Sequence, residues 1–158
     1  MIDEANKPLI HIVDDNAFVR ESMSALITSV GYEARAFADP QRYIDHLNSD
    51  SFMSPVALFV DVIMPSMNGY ELIRAIQPIK PEIKFIIMSG EFDVHSDHKH
   101  LACMYLKKPF HIRRIKETLN NINQCNNCSS LDYPGCHLTD DRMYFSIPGW
   151  SCQREQCS

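Results

Sequence analysis

The chain has no basic cluster, and its 15 Lys and Arg against 20 Asp and Glu leave a net charge of −5. A phosphate backbone would find little to hold it, so nucleic-acid binding by this chain alone is not expected. No stretch approaches the ~18–20 consecutive apolar residues of a membrane span. The start, Met1-Ile2-Asp3-Glu4, lacks the basic flank and apolar segment of a secretory signal, so the cytoplasm is the expected compartment. Cysteine is nearly absent over most of the length. Cys103 stands alone until position 124, and the other five follow it. In a reducing compartment disulfides are not expected, and Cys103, inside an apolar run, reads as a core thiol. What remains is an ordinary globular composition over 158 residues, enough for one domain with a proper core and an appendage.

The apolar runs set the architecture. Leu9-Ile10-His11-Ile12-Val13 ends on Asp14-Asp15, and Val56-Ala57-Leu58-Phe59-Val60 ends on Asp61. Ile83 to Met88 ends on Ser89-Gly90, and Cys103-Met104-Tyr105-Leu106 ends on Lys107-Lys108. Short, continuous apolar runs rich in β-branched and aromatic residues are the mark of strands buried on both faces, hence of a parallel sheet. Glu33 to Phe37 has mixed faces and suits an edge strand. His11 reads as a tolerated strand residue near an edge or the surface.

Between these runs lie helical patterns. Asn16 is placed to cap a helix carrying Phe18, Met23, Leu26, Ile27 and Val30, which Gly31 closes. Asp39-Pro40 opens a second helix reaching about Leu47, and Tyr70, Leu72, Ile73 and Ile76 mark a third. Ile112, Ile115, Leu119 and Ile122 mark the last. Strand and helix alternate five times, which predicts a doubly wound, five-stranded parallel α/β sheet in the flavodoxin-like order 2-1-3-4-5.

That order gathers Asp14, Asp15, Asp61, Ser89 and Lys108 at the carboxyl edge of the sheet, where open α/β sheets place their ligands. Three crowded carboxylates repel one another and call for a cation. Mg²⁺ suits them, since it takes one or two carboxylates, a carbonyl and waters, and leaves room for a phosphate oxygen. Lys108 offers a second positive charge and Ser89 a hydroxyl donor. Phosphoryl transfer asks for little more than this positioning and neutralisation, and a carboxylate can itself accept the phosphoryl group.

From about Leu9 to Ile122 the chain resembles the receiver domain of bacterial two-component response regulators. Four segments carry the resemblance: Val13-Asp14-Asp15-Asn16, Asp61-Val62-Ile63-Met64-Pro65-Ser66-Met67-Asn68-Gly69, Met88-Ser89-Gly90 and Tyr105-Leu106-Lys107-Lys108-Pro109-Phe110. The resemblance implies that Asp61 is the phosphoacceptor and that Asp15 binds Mg²⁺ directly. It implies that Asp14 holds the metal's water shell and that the Ile63 carbonyl completes the coordination. Ser89 and Tyr105 match the family's switch pair, and Lys108, before Pro109 in a cis bond, matches its conserved-role lysine. The implied partners are a sensor histidine kinase or a phosphotransfer protein docking beside the first helix, and a downstream protein target. A dimer linked to phosphorylation also falls within the family's range. The chain would catalyse only its own phosphorylation and dephosphorylation. A haloacid-dehalogenase-type phosphatase, also built on a strand-end Asp, would need a second Asp two residues on, where this chain has Ile63.

Two regions depart from the family. The interval from Ser89 to Lys108 is about three residues short, so the fourth helix is expected to be short, shifted or partly unwound. Its His95, His98, His100, Asp93 and Asp97 match no familiar metal spacing and read as a solvated loop. The boundary expected for the receiver is residues 1–123, with a Cys-rich tail over 124–158. Cys125-Asn-Asn-Cys128 has half-knuckle spacing, and Zn²⁺ would need four of Cys125, Cys128, Cys136, His137, Cys152 and Cys157. The segment otherwise reads as a loosely ordered tail or the remnant of a lost output domain, and its Tyr144, Phe145, Ile147 and Trp150 offer an apolar set able to pack back on the receiver. The alternative function is a phosphate-independent adaptor whose tail carries the output.

Overall fold

A computed structural model describes residues 6–90 and 102–126. Five strands, β1 (Leu9–Val13), β2 (Glu33–Phe37), β3 (Ala57–Asp61), β4 (Lys84–Ser89) and β5 (Met104–Lys107), form one all-parallel sheet in the order β2-β1-β3-β4-β5. The helices are α1 (Ala17–Ser29), α2 (Pro40–Leu47), α3 (Gly69–Ile76) and α4 (Ile112–Asn126). The expected sheet order and the edge position of β2 are both found. The expected irregular helix between β4 and β5 lies outside the described residues.

Local chemistry accounts for the helix ends. Asn16, Asp39 and Asn68 each sit in extended backbone and accept a bond from an N–H three residues on, which satisfies a donor the helix leaves open. Pro40 occupies the first turn of α2, where a missing N–H costs nothing. Gly31 follows α1 with φ of 95°, a left-handed conformation that glycine adopts without Cβ strain.

Strand alternation divides the core into two layers. Ile10, Ile12, Phe59, Ile86, Met88 and Met104 pack on one side against α1 and α4. Val13, Leu58, Val60, Phe85 and Ile87 pack on the other against α2 and α3. Apolar burial on both faces drives the sheet together, and it explains why β3 is buried along its whole length, Asp61 included.

His11 departs from the sequence expectation. It lies on the second strand of the sheet, between β2 and β3, and is fully buried. Its Nδ1 lies 2.9 Å from the Tyr43 hydroxyl, and the rings of Phe37, Tyr43, His46 and Phe52 surround it. A polar residue in an apolar run suggested exposure. The hydroxyl that makes its burial tolerable lies 32 residues away in sequence, on α2. Cys103 is buried as expected.

Candidate functional site: an acidic pocket at the carboxyl edge of the sheet

Parallel pairing brings the ends of β1, β3, β4 and β5 to one edge. Val13 pairs with Val60, Asp61 with Met88, and Ser89 with Lys107. The residues just beyond these pairs therefore meet. Asp14, Asp15 and Asp61 each offer a carboxylate oxygen, all within 4.8 Å of one another. Asp14 is fully buried and Asp61 nearly so, whereas Asp15 is exposed.

Lys108 ties this cluster together. Its Nζ donates to Asp14 Oδ2 at 2.7 Å and to Asp61 Oδ1 at 3.0 Å. Its backbone N–H donates to the Ser89 carbonyl at 2.7 Å, so the start of the loop after β5 is fixed to the end of β4. The Lys108–Pro109 peptide bond is cis, as the resemblance implied.

The electrostatics follow from burial and crowding. Burial pushes the Asp61 carboxyl above its ordinary value; the Lys108 hydrogen bond pulls it back, and the charges of Asp14 and Asp15 push it up again. For Lys108, burial disfavours the ammonium. The bonds to Asp14 and Asp61 outweigh that, and the amine is held above its ordinary value. Three carboxylates against one ammonium leave the pocket short of positive charge. That donor set, all hard oxygens with one exposed face at Asp15, fits Mg²⁺.

The remaining expected residues are placed as follows. Ser89 ends β4 at the rim. Tyr105 is half-buried on β5 against the α2/α3 side of the core, and burial, reinforced by Tyr70, raises its hydroxyl pKa. Ile63 follows β3 and its side chain is 69% exposed. Cys125 falls in the last turn of α4. The other five tail candidates, Cys128, Cys136, His137, Cys152 and Cys157, lie outside the described residues, as does the Asp93–His100 loop.

Two contributors were not anticipated. The Arg20 guanidinium, one turn into α1, donates to the Asp14 carbonyl at 2.8 Å and holds the acidic loop against the helix. Its spacing from Asn16 was the only available signal. The Asn16 N–H also binds Asp14 Oδ1 at 2.8 Å, so the capping residue orients a site carboxylate too. Beside the pocket, an apolar groove of about 410 Å³ runs between α1 and the loop after β5, lined by Phe18, Val19, Met23, Leu26, Pro109 and Phe110 among others.

The family model for the response regulator receiver domain matches residues 10–120. The chain belongs to this family. It is 33% identical over 116 residues to the chemotaxis protein CheY of Thermotoga maritima, covering 72% of this chain and 95% of that one. It is 32% identical over 109 residues to the transcriptional regulatory protein FixJ of Bradyrhizobium diazoefficiens, covering 67% of this chain and about half (52%) of that one. Among solved structures, a CheY-like receiver domain from Methylobacillus flagellatus superposes with a TM-score of 0.67 at 22% identity, over 74% of this chain and 99% of that one. The Thermotoga maritima response regulator TrrA, solved in complex with Mg(2+)-BeF, gives 0.66 at 23%, over 73% and 98%. Receiver domains of two-component systems are signalling phosphoacceptors, and phosphorylation on Asp with Mg²⁺ binding is typical of them. Among the described residues no helix is long and apolar enough to cross a membrane.

Proposed function

We propose that residues 1–123 form a receiver that accepts a phosphoryl group on Asp61 from a histidine kinase or a phosphotransfer protein and signals by protein–protein contact in the cytoplasm. The observation that carries this reading is the Lys108 ammonium held between Asp14 and Asp61, with Asp15 alongside at the open rim.

Asp15 and Asp61 and the Ile63 carbonyl would hold Mg²⁺, with Asp14 ordering its waters. Bound there, the ion supplies positive charge to the phosphoryl oxygens. The Asp61 carboxylate attacks phosphorus in line, a P–O bond forms, and the P–N bond of the donor phosphohistidine breaks with its electron pair left on the imidazole. Lys108 already lies within hydrogen-bonding distance of Asp61, so its ammonium can follow the new charge onto a phosphoryl oxygen with little displacement. Ser89, at the end of the neighbouring strand, offers its hydroxyl to another. Tyr105, half-buried beside β4, would repack as Ser89 moves and alter the outer surface.

The test is intact mass after incubation with acetyl phosphate and Mg²⁺. The wild type should gain one phosphoryl group. Asp61→Asn, and the wild type without Mg²⁺, should gain none. A folded wild type that stays unlabelled with Mg²⁺ present would sink the reading.

A further inference from the structure

Asp14 is held at four atoms. Its N–H donates to the Phe37 carbonyl at 3.2 Å. Its Oδ1 accepts the Asn16 N–H at 2.8 Å, and its Oδ2 accepts from the Lys108 ammonium at 2.7 Å. The fourth atom is its carbonyl oxygen. This oxygen lies past Val13, the last paired residue of β1, and before the Asn16 carbonyl, which takes the Arg20 N–H at 3.1 Å as α1 begins. Neither the sheet ladder nor the helix ladder reaches it. A buried carbonyl without a partner is costly, and the Arg20 guanidinium fills the place at 2.8 Å. Helical side chains lean toward the N-terminus of their helix, so Arg20, one turn into α1, extends back toward the strand that α1 follows.

The consequence falls on Asp15. The Asp14 carbonyl shares a rigid peptide plane with the Asp15 N–H and Cα. Fixing that oxygen therefore fixes the direction in which the chain enters Asp15. Asp15 is the exposed member of the three carboxylates, so packing does little to aim its side chain and the backbone does most.

We infer that Arg20 is a positioning residue for the divalent-cation site: by holding the Asp14 carbonyl it aims the Asp15 carboxylate, and so sets Mg²⁺ affinity through the backbone rather than as a ligand. This rests on the Mg²⁺ binding proposed above. Charge and position predict opposite results for its removal. A cation beside the site repels a second cation, so on charge alone a variant without Arg20 would bind Mg²⁺ more tightly. On positioning it binds more weakly.

The experiment is a Mg²⁺ titration of the full chain, read as the rise in thermal midpoint, with no phosphodonor present. Arg20→Met keeps most of the side-chain stem and removes both charge and donor. It should raise the Mg²⁺ concentration for half the effect about tenfold, the low end of what loss of an outer partner costs a metal site. Arg20→Lys keeps the charge but loses the planar fork, and should weaken binding by a smaller factor; it is the variant to read if Arg20→Met does not fold. Tighter binding in Arg20→Met overturns the inference in favour of charge repulsion. A lower midpoint without Mg²⁺ together with an unchanged half-effect concentration overturns it in favour of a purely structural brace. A wild type whose midpoint does not respond to Mg²⁺ overturns the metal site and this inference together, whereas a responsive wild type beside an equally responsive variant overturns the inference alone.

Discussion

His11 shows how far one buried side chain can shape the pH response of this fold. Burial, helped by the nearby charges of His46 and Arg35, pulls its pKa down to about 3 from an unfolded value of 6.5. The ring is held neutral beside the Tyr43 hydroxyl, and its Nε2 has no hydrogen-bond partner. A depressed histidine pKa means that the unfolded chain binds the extra proton first. Between pH 6.5 and 3 the unfolded state is therefore favoured by ~1.4 kcal/mol per pH unit for this one group, and the stability it costs returns as pH rises to 6.5. His11→Gln, which keeps an acceptor for Tyr43 but cannot titrate, should flatten the fall in urea midpoint between pH 6.5 and 4.5. An unchanged slope would mean that His11 is already protonated in the folded state. Asp61 and Lys108 illustrate the opposite principle: burial works against the charge on each, and their mutual bond, with the bond from Lys108 to Asp14, works for it.

At the level of elements, the junction of β3 and α3 does the positioning. The Val62 N–H binds the Met88 carbonyl and the Gly69 N–H binds the Val62 carbonyl, so the loop after Asp61 is pinned at both ends. Gly69 begins α3 so close to β3 that a Cβ there would lie 2.5 Å from the Asp61 carbonyl oxygen and 3.0 Å from Val60 Cγ1. The first neighbour is backbone and cannot rotate away. Gly69→Ala should therefore cost ~1–3 kcal/mol in urea unfolding, as overpacked cores do, and should slow acetyl-phosphate labelling of Asp61 by displacing it. A variant with wild-type stability would show that α3 can slide outward. The first two helix starts and the end of α1 were legible in the sequence for a plain reason: the cap at Asn16, the Asp39-Pro40 start and the break at Gly31 act within a few residues of themselves, whereas the Asn68 cap of α3 emerged only in the structure.

For the whole molecule, Mg²⁺ binding at the acidic pocket, as proposed, would be coupled to folding. Asp14, Asp15 and Asp61 come from strands joined only in the folded sheet, so the unfolded chain has no comparable site. Mg²⁺ at a hundredfold excess over its Kd should stabilise the protein by about 2.7 kcal/mol, seen as a rise in thermal midpoint. Asp15→Asn, which removes the exposed carboxylate proposed as a ligand without removing either Lys108 pair, should abolish most of that rise. An equal rise in the variant would place the ion elsewhere.

The sequence by itself determined the order of strands and helices, the edge strand and the strand-end residues that meet at the site. These follow from hydrophobic period and from carboxylates placed where apolar runs stop, both of which are local. The tertiary structure alone decided the rest. Whether His11 is exposed depends on which strands flank β1 and on a hydroxyl supplied by α2. That Arg20 braces Asp14, and that Lys108 lies between two carboxylates 47 and 94 residues away, depends on the register of parallel pairs. The apolar groove exists only because α1 and the loop after β5, far apart in the chain, end side by side. Long-range pairing leaves no periodic trace in either partner's own sequence, so these features became visible only once the sheet was assembled.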